Sequence, residues 1–339
     1  MPYTEKERLL RTLNKEGVDR PPVCCIGGMM NAAIVEIMKE TGLTLPDAHS
    51  DAAKMSALAQ AVWQHTGFEN IAVPFCMTVE AELLGADVTL GTLECEPKIV
   101  KENFPSVSAV PFKDIGEMVN SGRINVVVEA ARMAAAAHPD VPVIVSLTGP
   151  VSTAASIVDP LTFYKELRKN PANAEKVLDY VTDLLAAYAE RAIQAGASVI
   201  AIGDPSATGE ILGPKMFEAY AMKYNNKFAR RVHDLGVPFI LHICGDMTSV
   251  NPLLPRLEAD AISTDAVVSL PKIKAQFPSI TTMGNVSTFA LEWAECEKVA
   301  AVTRRLVESG VNIISPACGL STSTRKSTIR AMTDTVKAV

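Results

Sequence analysis

The segment VPFILHICGD, residues 237–246, decides how this chain is organised. Its centre is apolar and rich in strand-forming residues, and it ends in glycine and aspartate, which is typical of a buried strand that runs into a loop. Side chains alternate between the two faces of a strand, so His242 and Cys244 share one face while Leu241 and Ile243 share the other. An imidazole beside a thiol at the end of a buried strand indicates one half of a zinc site.

The composition of the 339-residue chain indicates a folded protein with a sizeable core, since 48% of the residues are hydrophobic and 21% are charged. A net charge of −6 argues against nucleic-acid binding, which requires a basic surface. The pattern contains neither a signal-peptide core nor the roughly 18 uncharged apolar residues of a membrane span. Seven cysteines, an odd number, fit a reducing compartment, and we therefore expect a cytoplasmic protein.

Short apolar segments alternate with helical patterns along the whole chain. The predicted strands cover residues 23–26, 70–75, 141–147, 198–202, 239–244, 261–264, 280–283 and 311–315. The predicted helices cover residues 4–15, 30–41, 50–66, 115–138, 160–195, 214–235, 288–309 and 325–337, with breaks at Ser121-Gly122 and at Asn170-Pro171, and residues 87–100 alternate like a hairpin. This alternation predicts an α/β fold, a (β/α)8 TIM barrel occupying residues 1–339 as a single domain, with an N-terminal helix and an insertion after strand two. A doubly wound open sheet is the alternative, but no glycine-rich phosphate turn follows the first strand.

The second half of the zinc site is predicted from the barrel itself, because functional groups of such barrels lie at the C-terminal ends of the strands. Cys318 follows the eighth predicted strand and thereby joins His242 and Cys244 as a metal ligand. One histidine and two cysteines are typical of a catalytic zinc with an open fourth position. Two thiolates neutralise Zn²⁺, which suits holding an external thiol as a nucleophile for alkyl transfer. Zinc-hydroxide hydrolysis fits this ligand set less naturally, although alcohol dehydrogenases use the same ligand types, and inert core cysteines are the alternative interpretation.

Other predicted strands also end in groups that bear on a site. Asp265, after strand six, is the candidate catalytic residue, a carboxylate that takes the fourth zinc position when substrate is absent. Asn285 and Met29 are candidate cofactor-binding residues, the first because the preceding glycine lets the backbone approach a flat ligand and the second because it follows strand one. Glu80 and Asp204 are further strand-end carboxylates. Helix capping or loop hydrogen bonding is the alternative role for the polar members of this set.

Three short motifs carry a resemblance to a known family: H-x-C-G-D at 242–246, M-G-N at 283–285 and P-A-C-G at 316–319. With them, nearly the whole chain resembles the uroporphyrinogen decarboxylase superfamily. Within it the chain is most similar to the zinc methyltransferase branch, the methylcobamide:coenzyme M methyltransferases of methanogenesis. The resemblance implies a (β/α)8 barrel with one Zn²⁺ on His242, Cys244 and Cys318. It also implies coenzyme M as the methyl acceptor and a methylcobamide, carried by a separate corrinoid protein, as the donor.

The decarboxylase branch is disfavoured, because residues 27–31 read GGMMN where that branch carries paired arginines for substrate carboxylates. Two other functions stay open beside methyl transfer to coenzyme M. One is a related corrinoid methyltransferase with another acceptor, such as homocysteine or a folate. The other is a non-catalytic partner of a corrinoid protein, with structural zinc. The docking surface of the corrinoid protein is expected around the barrel mouth, with the insertion 88–112 as a candidate part of its rim.

Overall fold

A parallel sheet carries the fold in the computed structural model, which describes residues 3–339. The strands are β1 (Ile71–Val73), β2 (Asp87–Thr89), β3 (Lys98–Lys101), β4 (Val143–Thr148), β5 (Val199–Gly203), β6 (Phe239–Ile243), β7 (Ala261–Thr264) and β8 (Thr282–Met283). Six of them form a parallel sheet in the order β1-β4-β5-β6-β7-β8. Strands β2 and β3 pair antiparallel as a separate hairpin, which confirms the predicted insertion.

α-Helices lie around the sheet and between most consecutive parallel strands, while a 3₁₀ helix, Thr248–Arg256, connects β6 to β7. Within residues 3–339 they are α1 (Glu5–Leu13), α2 (Val35–Thr41), α3 (Ala52–Thr66), α4 (Val79–Leu83), α5 (Ile115–Met118), α6 (Gly122–Ala137), α7 (Pro150–Ala154), α8 (Pro160–Lys169), α9 (Pro171–Gln194), α10 (Gly209–Met216), α11 (Lys223–His233), α12 (Leu270–Gln276), α13 (Thr288–Trp293), α14 (Cys296–Glu308) and α15 (Lys326–Lys337). Helix α1 begins with a capping box, in which Thr4 and Glu7 exchange side-chain to backbone hydrogen bonds. Across this part of the chain, no helix combines the length and apolarity that crossing a membrane would take.

Hydrogen bonds between the two ends of the chain close the sheet into a ring. The N–H of Cys24 donates to the carbonyl of Ile314 at 2.9 Å, and the neighbouring Ile313 pairs in parallel with β8. On the other side, the Asn70 side chain bonds the backbone N–H and carbonyl of Cys25 at 2.9 and 2.7 Å. In the first segment of the ring, residues 23–26, hydrogen bonds from the Asn70 side chain thus take the place of a regular strand ladder. This explains why the segment forms only isolated backbone pairs with its neighbours. The ring confirms the predicted barrel.

The interior of the barrel is filled by alternate residues of the strands. One buried cluster joins Leu9, Leu13, Cys24, Ile26, Met30, Ile144, Val199, Ala201, Ile240, Ala261, Met283 and Ile313. Leu241 and Ile243 belong instead to the outer cluster that packs against the helices. His242 and Cys244 therefore continue the inner face beyond Ile240, as the alternation predicted. Because residues of α1 pack into the inner cluster, the opposite ends of the strands are the ones left for a site.

An ion-pair network ties the first segment to the start of β1. Glu69 is almost fully buried, and its carboxylate accepts from Arg8 at 2.8 Å, from Arg20 at 2.7 Å and from the N–H of Val23 at 3.0 Å. Two guanidinium groups and a backbone donor compensate the buried charge. Arg20 is therefore occupied in holding the N-terminal side of the barrel together.

Three predicted helices were wrong in their bounds. The helix predicted at 30–41 begins only with α2, because the residues before it turn back on the end of the first segment. The helix predicted at 214–235 starts earlier and is interrupted, with a kink at Gly213 and a π-helical turn between α10 and α11. The helix predicted at 288–309 is divided into α13 and α14, since Ala294 between them adopts an extended backbone.

Candidate metal centre

Strand β6 places His242 on the inner face of the barrel, where the ring is fully buried. The register between β6 and β7 pairs His242 with Ser263, and the Ser263 hydroxyl lies 2.9 Å from His242 Nδ1. This hydrogen bond fixes the orientation of the imidazole and leaves Nε2 directed at the neighbouring sulfur atoms. A histidine that binds metal through one nitrogen usually bonds a protein group through the other.

Two cysteine sulfurs lie near Nε2, the second nitrogen of this ring. Cys244 Sγ lies 3.1 Å from His242 Nε2 and 3.4 Å from Cys318 Sγ, and the three ligand atoms all lie within 4.8 Å of one another. Among the described residues, this is the one such group of three or more histidine, cysteine or acidic side chains. The close packing of the Cys318 loop against the loop of Met29 requires glycine at position 319, because a Cβ there would lie 2.6 Å from the carbonyl oxygen of Met29.

The two thiols share a proton unequally. The hydrogen bond donated by Cys244, together with the nearby His242, lowers the pKa of the Cys318 thiol to about 5. The same bond to Cys318, with burial, raises the pKa of Cys244. Cys318 is therefore the more easily ionised of the two thiols, and binding of a cation by both sulfurs releases their remaining protons.

The donor set fits zinc in both chemistry and spacing. A tetrahedral zinc with ordinary bond lengths separates a nitrogen from a sulfur ligand by about 3.6 Å and two sulfurs by about 3.8 Å. The corresponding distances here are 3.1 and 3.4 Å, so side-chain rotations of a few tenths of an ångström are enough to admit the ion. Cys244 and Cys318 are partly exposed, so the group is also open toward the barrel mouth.

Asp265 lies at the end of β7 but outside the group of converging ligand atoms. Its carboxylate accepts from the N–H of Val267 at 3.2 Å, which closes a local turn. Its negative charge also contributes to the raised pKa of Cys244, after the larger effects of Cys318 and of burial. The carboxylate is therefore close to the centre, and its role as a ligand or catalytic group stays a prediction.

Met29 follows the first segment of the ring, and Asn285 follows β8. The amide nitrogen of Asn285 donates to the carbonyls of Asp265 and Val268, both at 2.8 Å, and so ties together the loops after β7 and β8. The preceding glycine approaches the backbone of β7, rather than open space. Met29 lines a cavity beside Cys318. Cofactor binding by either residue stays a prediction.

The other two strand-end carboxylates have structural partners. Glu80 is buried and accepts from the N–H and the hydroxyl of Thr148, both at 2.9 Å. Asp204 is fully buried and accepts from the N–H of Ser152 at 2.8 Å and from its hydroxyl at 2.7 Å. Burial raises the pKa of both carboxyl groups, and these donors oppose the rise. Loop hydrogen bonding, the alternative weighed from the sequence, describes both residues.

A cavity of about 610 Å³ opens beside Cys318. It is lined by Met29, Glu94, Cys95, Glu96, Lys98, Thr288, Glu292, Cys318, Gly319, Leu320, Ser321 and Thr322. The tip of the β2–β3 hairpin forms one wall, and the Thr322 hydroxyl holds it by donating to the carbonyl of Glu94 at 2.9 Å. The first turn of α13 forms another wall. Lys98 is the one cation among these lining residues.

Sequence reasoning missed Ser263 and the walls of this cavity. Ser263 falls within a predicted strand, but its position opposite His242 follows from the register between two strands, which a sequence pattern does not reveal. The hairpin was predicted, but its contact with the residues after Cys318 was not, because that contact joins residues that are 228 positions apart in the sequence. The only sequence signal was the placement of the insertion after an early strand, on the side where a barrel carries its site.

The fold is a (β/α)8 barrel, and one histidine and two cysteines that could hold a metal ion converge at the C-terminal ends of its strands. Residues 4–339 match the family model described as uroporphyrinogen decarboxylase (URO-D), and the chain belongs to that family. This confirms the family predicted from the three motifs.

Known relatives match the chain over nearly its whole length. The methylcobamide:CoM methyltransferase MtbA of Methanosarcina acetivorans is 33% identical, over 99% of this chain and 98% of the relative. The methylcobamide:CoM methyltransferase MtaA of Methanosarcina barkeri is 30% identical, over 97% and 96%. The solved structure of a methyltransferase from Methanosarcina mazei superposes with a TM-score of 0.93 at 30% identity, covering 99% of both chains. The predicted similarity to the methyltransferase branch is thereby confirmed.

Proposed function

We propose that this chain is an enzyme that transfers a methyl group from a methylated corrinoid to the thiol of coenzyme M, in methanogenesis. His242, Cys244 and Cys318 would hold one Zn²⁺, and a separate corrinoid protein would present the methylcobamide. The observation that carries the proposal is the convergence of one imidazole and two thiols, 3.1 and 3.4 Å apart, beside a cavity at the barrel mouth. The names of the full-length relatives support the same donor and acceptor.

The side chains of the centre prepare it for a thiol acceptor. Bound zinc would supply the positive charge that keeps the acceptor sulfur ionised at neutral pH. Ser263 holds the imidazole of His242 in place, and the low pKa of Cys318 makes its sulfur the first anionic donor. Cys244 gives up its proton when the site fills. Asp265, close to Cys244, completes the ligand set in the absence of acceptor, and Asn285 and Met29 line the approach of the corrinoid.

The cavity offers room and one positive charge for the acceptor. Coenzyme M carries an anionic sulfonate besides its thiol, and Lys98 is the cation on the cavity wall. Glu94, Glu96 and Glu292 make the rest of that wall acidic, so the sulfonate is expected at the lysine. The hairpin would thereby orient the acceptor with its sulfur toward Cys318.

The test is methyl transfer from methylcobalamin to coenzyme M by the purified zinc-loaded protein, with homocysteine as the comparison thiol. X-ray absorption at the zinc edge accompanies it, with and without coenzyme M. We expect transfer to coenzyme M and one added sulfur in the zinc shell. Transfer to homocysteine alone would move the proposal to another acceptor. A zinc shell that already holds four protein ligands and does not change would indicate structural zinc and remove the enzymatic proposal.

A further inference from the structure

Three large apolar side chains are exposed to solvent in the segments that follow the neighbouring strands β7 and β8, one on a loop and two on α13. Phe289 is 72% exposed, Trp293 is 65% exposed and Val267 is 71% exposed. Phe289 and Trp293 are four residues apart on α13, and therefore project from the same face of that helix. We call these three residues the aromatic patch. Aromatic residues are enriched at the centres of protein interfaces, and tryptophan most of all among the residues that dominate binding energy.

The aromatic patch is continuous with the cavity at the metal centre. Thr288 and Glu292, on the adjoining face of α13, line the cavity beside Cys318. Asn285 ties the loop that carries Val267 to the loop that leads into α13. A molecule that covers the aromatic patch therefore also lies over the entrance to the metal centre.

The short helix α13 is held firmly, so the patch is presented in a fixed position. Leu291 on its inner face is fully buried, and its carbonyl accepts a hydrogen bond from the Thr328 hydroxyl. The carboxylate of Glu292 accepts from the Ser323 hydroxyl at 2.6 Å. A surface that is already ordered loses little conformational entropy when a partner binds.

The size and charge of the patch indicate what kind of partner it fits. Its exposed apolar area is roughly 300–400 Å², well below the roughly 800 Å² per partner of a stable interface, and so suits a transient encounter rather than a permanent dimer. Three carboxylates lie in the same segments, Asp265 two residues before Val267 and Glu292 and Glu295 on and after α13, and the cation that contacts the end of α13 is Arg325, which bonds the carbonyl of Ala294. A complementary partner presents an apolar area bordered by basic residues.

We propose that the aromatic patch is the docking surface for the protein that carries the methylated corrinoid. The proposal rests on the proposed function, because methyl transfer requires the methyl carbon to approach an acceptor thiol at the metal centre. A protein-bound corrinoid reaches that position only if its carrier covers the rim of the cavity. The partner is thus a corrinoid-binding protein with basic residues around its exposed cofactor face, which docks, transfers and leaves.

The experiment compares two methyl donors in the double variant F289A/W293A of the zinc-loaded enzyme. The donors are free methylcobalamin and the methylated corrinoid protein isolated from the cells that make this chain, and coenzyme M is the acceptor. We expect kcat/KM with the protein donor to fall by about 10- to 100-fold, through KM, while kcat/KM with free methylcobalamin stays unchanged. The matched control is Leu161→Ala, which removes an 81% exposed leucine on α8 and should leave both donors unaffected. At saturating coenzyme M, raising the salt concentration should slow transfer from the protein donor more than transfer from free methylcobalamin.

The outcomes separate this proposal from the proposed function. Equal losses with both donors, or no loss with either, would overturn the docking surface while methyl transfer stands. A wild-type enzyme that uses free methylcobalamin but gains nothing from the corrinoid protein would overturn it as well. A wild-type dimer in sedimentation that F289A/W293A converts to monomer would assign the patch to a second copy of the chain instead. Absence of transfer with either donor would remove the proposed function, and the docking proposal with it.

Discussion

Replacing Ser263 with alanine should weaken the metal centre without removing a ligand. The substitution deletes the hydroxyl 2.9 Å from His242 Nδ1, inside a fully buried environment. The imidazole then loses the contact that fixes its orientation, and Nδ1 is left without that partner. Loss of such a supporting bond typically costs about 10- to 100-fold in metal affinity, or about 1.4–2.7 kcal/mol. We expect the zinc affinity of Ser263→Ala to be about 10- to 100-fold lower than that of the wild type, and Ser263→Thr to retain most of the affinity.

The assay is competition for zinc against a chromophoric chelator at constant neutral pH, with circular dichroism to confirm the fold. Ser198→Ala is the matched control, because this serine precedes β5 at the opposite end of the barrel and its buried hydroxyl has no hydrogen-bond partner. The control should bind zinc like the wild type. Wild-type affinity in a folded Ser263→Ala protein would refute the inference that the hydroxyl orients the ligand.

Four further predictions concern the centre, the cavity and the stability of the barrel. Cys318→Ala should lose zinc and methyl transfer while circular dichroism shows a folded barrel, and full transfer by the metal-free variant would contradict the ligand assignment. Lys98→Met should raise KM for coenzyme M about tenfold and leave KM for methylcobalamin unchanged in steady-state kinetics. Glu69→Gln should lower the free energy of unfolding in urea by about 3 kcal/mol, because it leaves Arg20 without its carboxylate partner and Arg8 with Asp19 alone, and a loss under about 1 kcal/mol would count against this. Burial, with the nearby guanidinium of an arginine, lowers the pKa of His49 from the usual 6.5 to about 4. Between pH 4 and pH 6.5 the unfolded chain therefore binds a proton at His49 that the folded chain does not bind. Stability is then complete above pH 6.5 and falls by about 3 kcal/mol down to pH 4, and His49→Leu should flatten that slope in pH-dependent urea titrations.

The repeating part of the fold could be predicted from the sequence because each unit carries its own local signal. The strand at Phe239–Ile243 was predicted from its apolar run, and the break between α5 and α6 from the serine and glycine at its start. The division of α13 from α14 was missed, because Ala294 carries no sequence signal for a break. Its extended backbone follows from packing against the end of the chain, where Arg325 bonds its carbonyl.

The candidate site was predicted as far as strand alternation and barrel topology reach. These two rules place His242, Cys244 and Cys318 on the inner side of one end, and the structure brings their ligand atoms together. Neither rule fixes the register between strands, which sets Ser263 against the imidazole. Nor does either rule determine how a hairpin folds over the mouth, since that depends on a contact between Glu94 and Thr322, far apart in the chain.

The closure of the ring by its last segment has a consequence for the biogenesis of the protein. His242 and Cys244 leave the ribosome well before Cys318, which lies 74 residues beyond Cys244. The emerging chain therefore presents two ligands of an incomplete site until the final segment pairs with Cys24. Ion capture is then among the last events of maturation, and it fastens the end of the chain to its middle. Nascent chains halted before Cys318 should remain metal-poor, and zinc should protect the finished C-terminal segment from proteases.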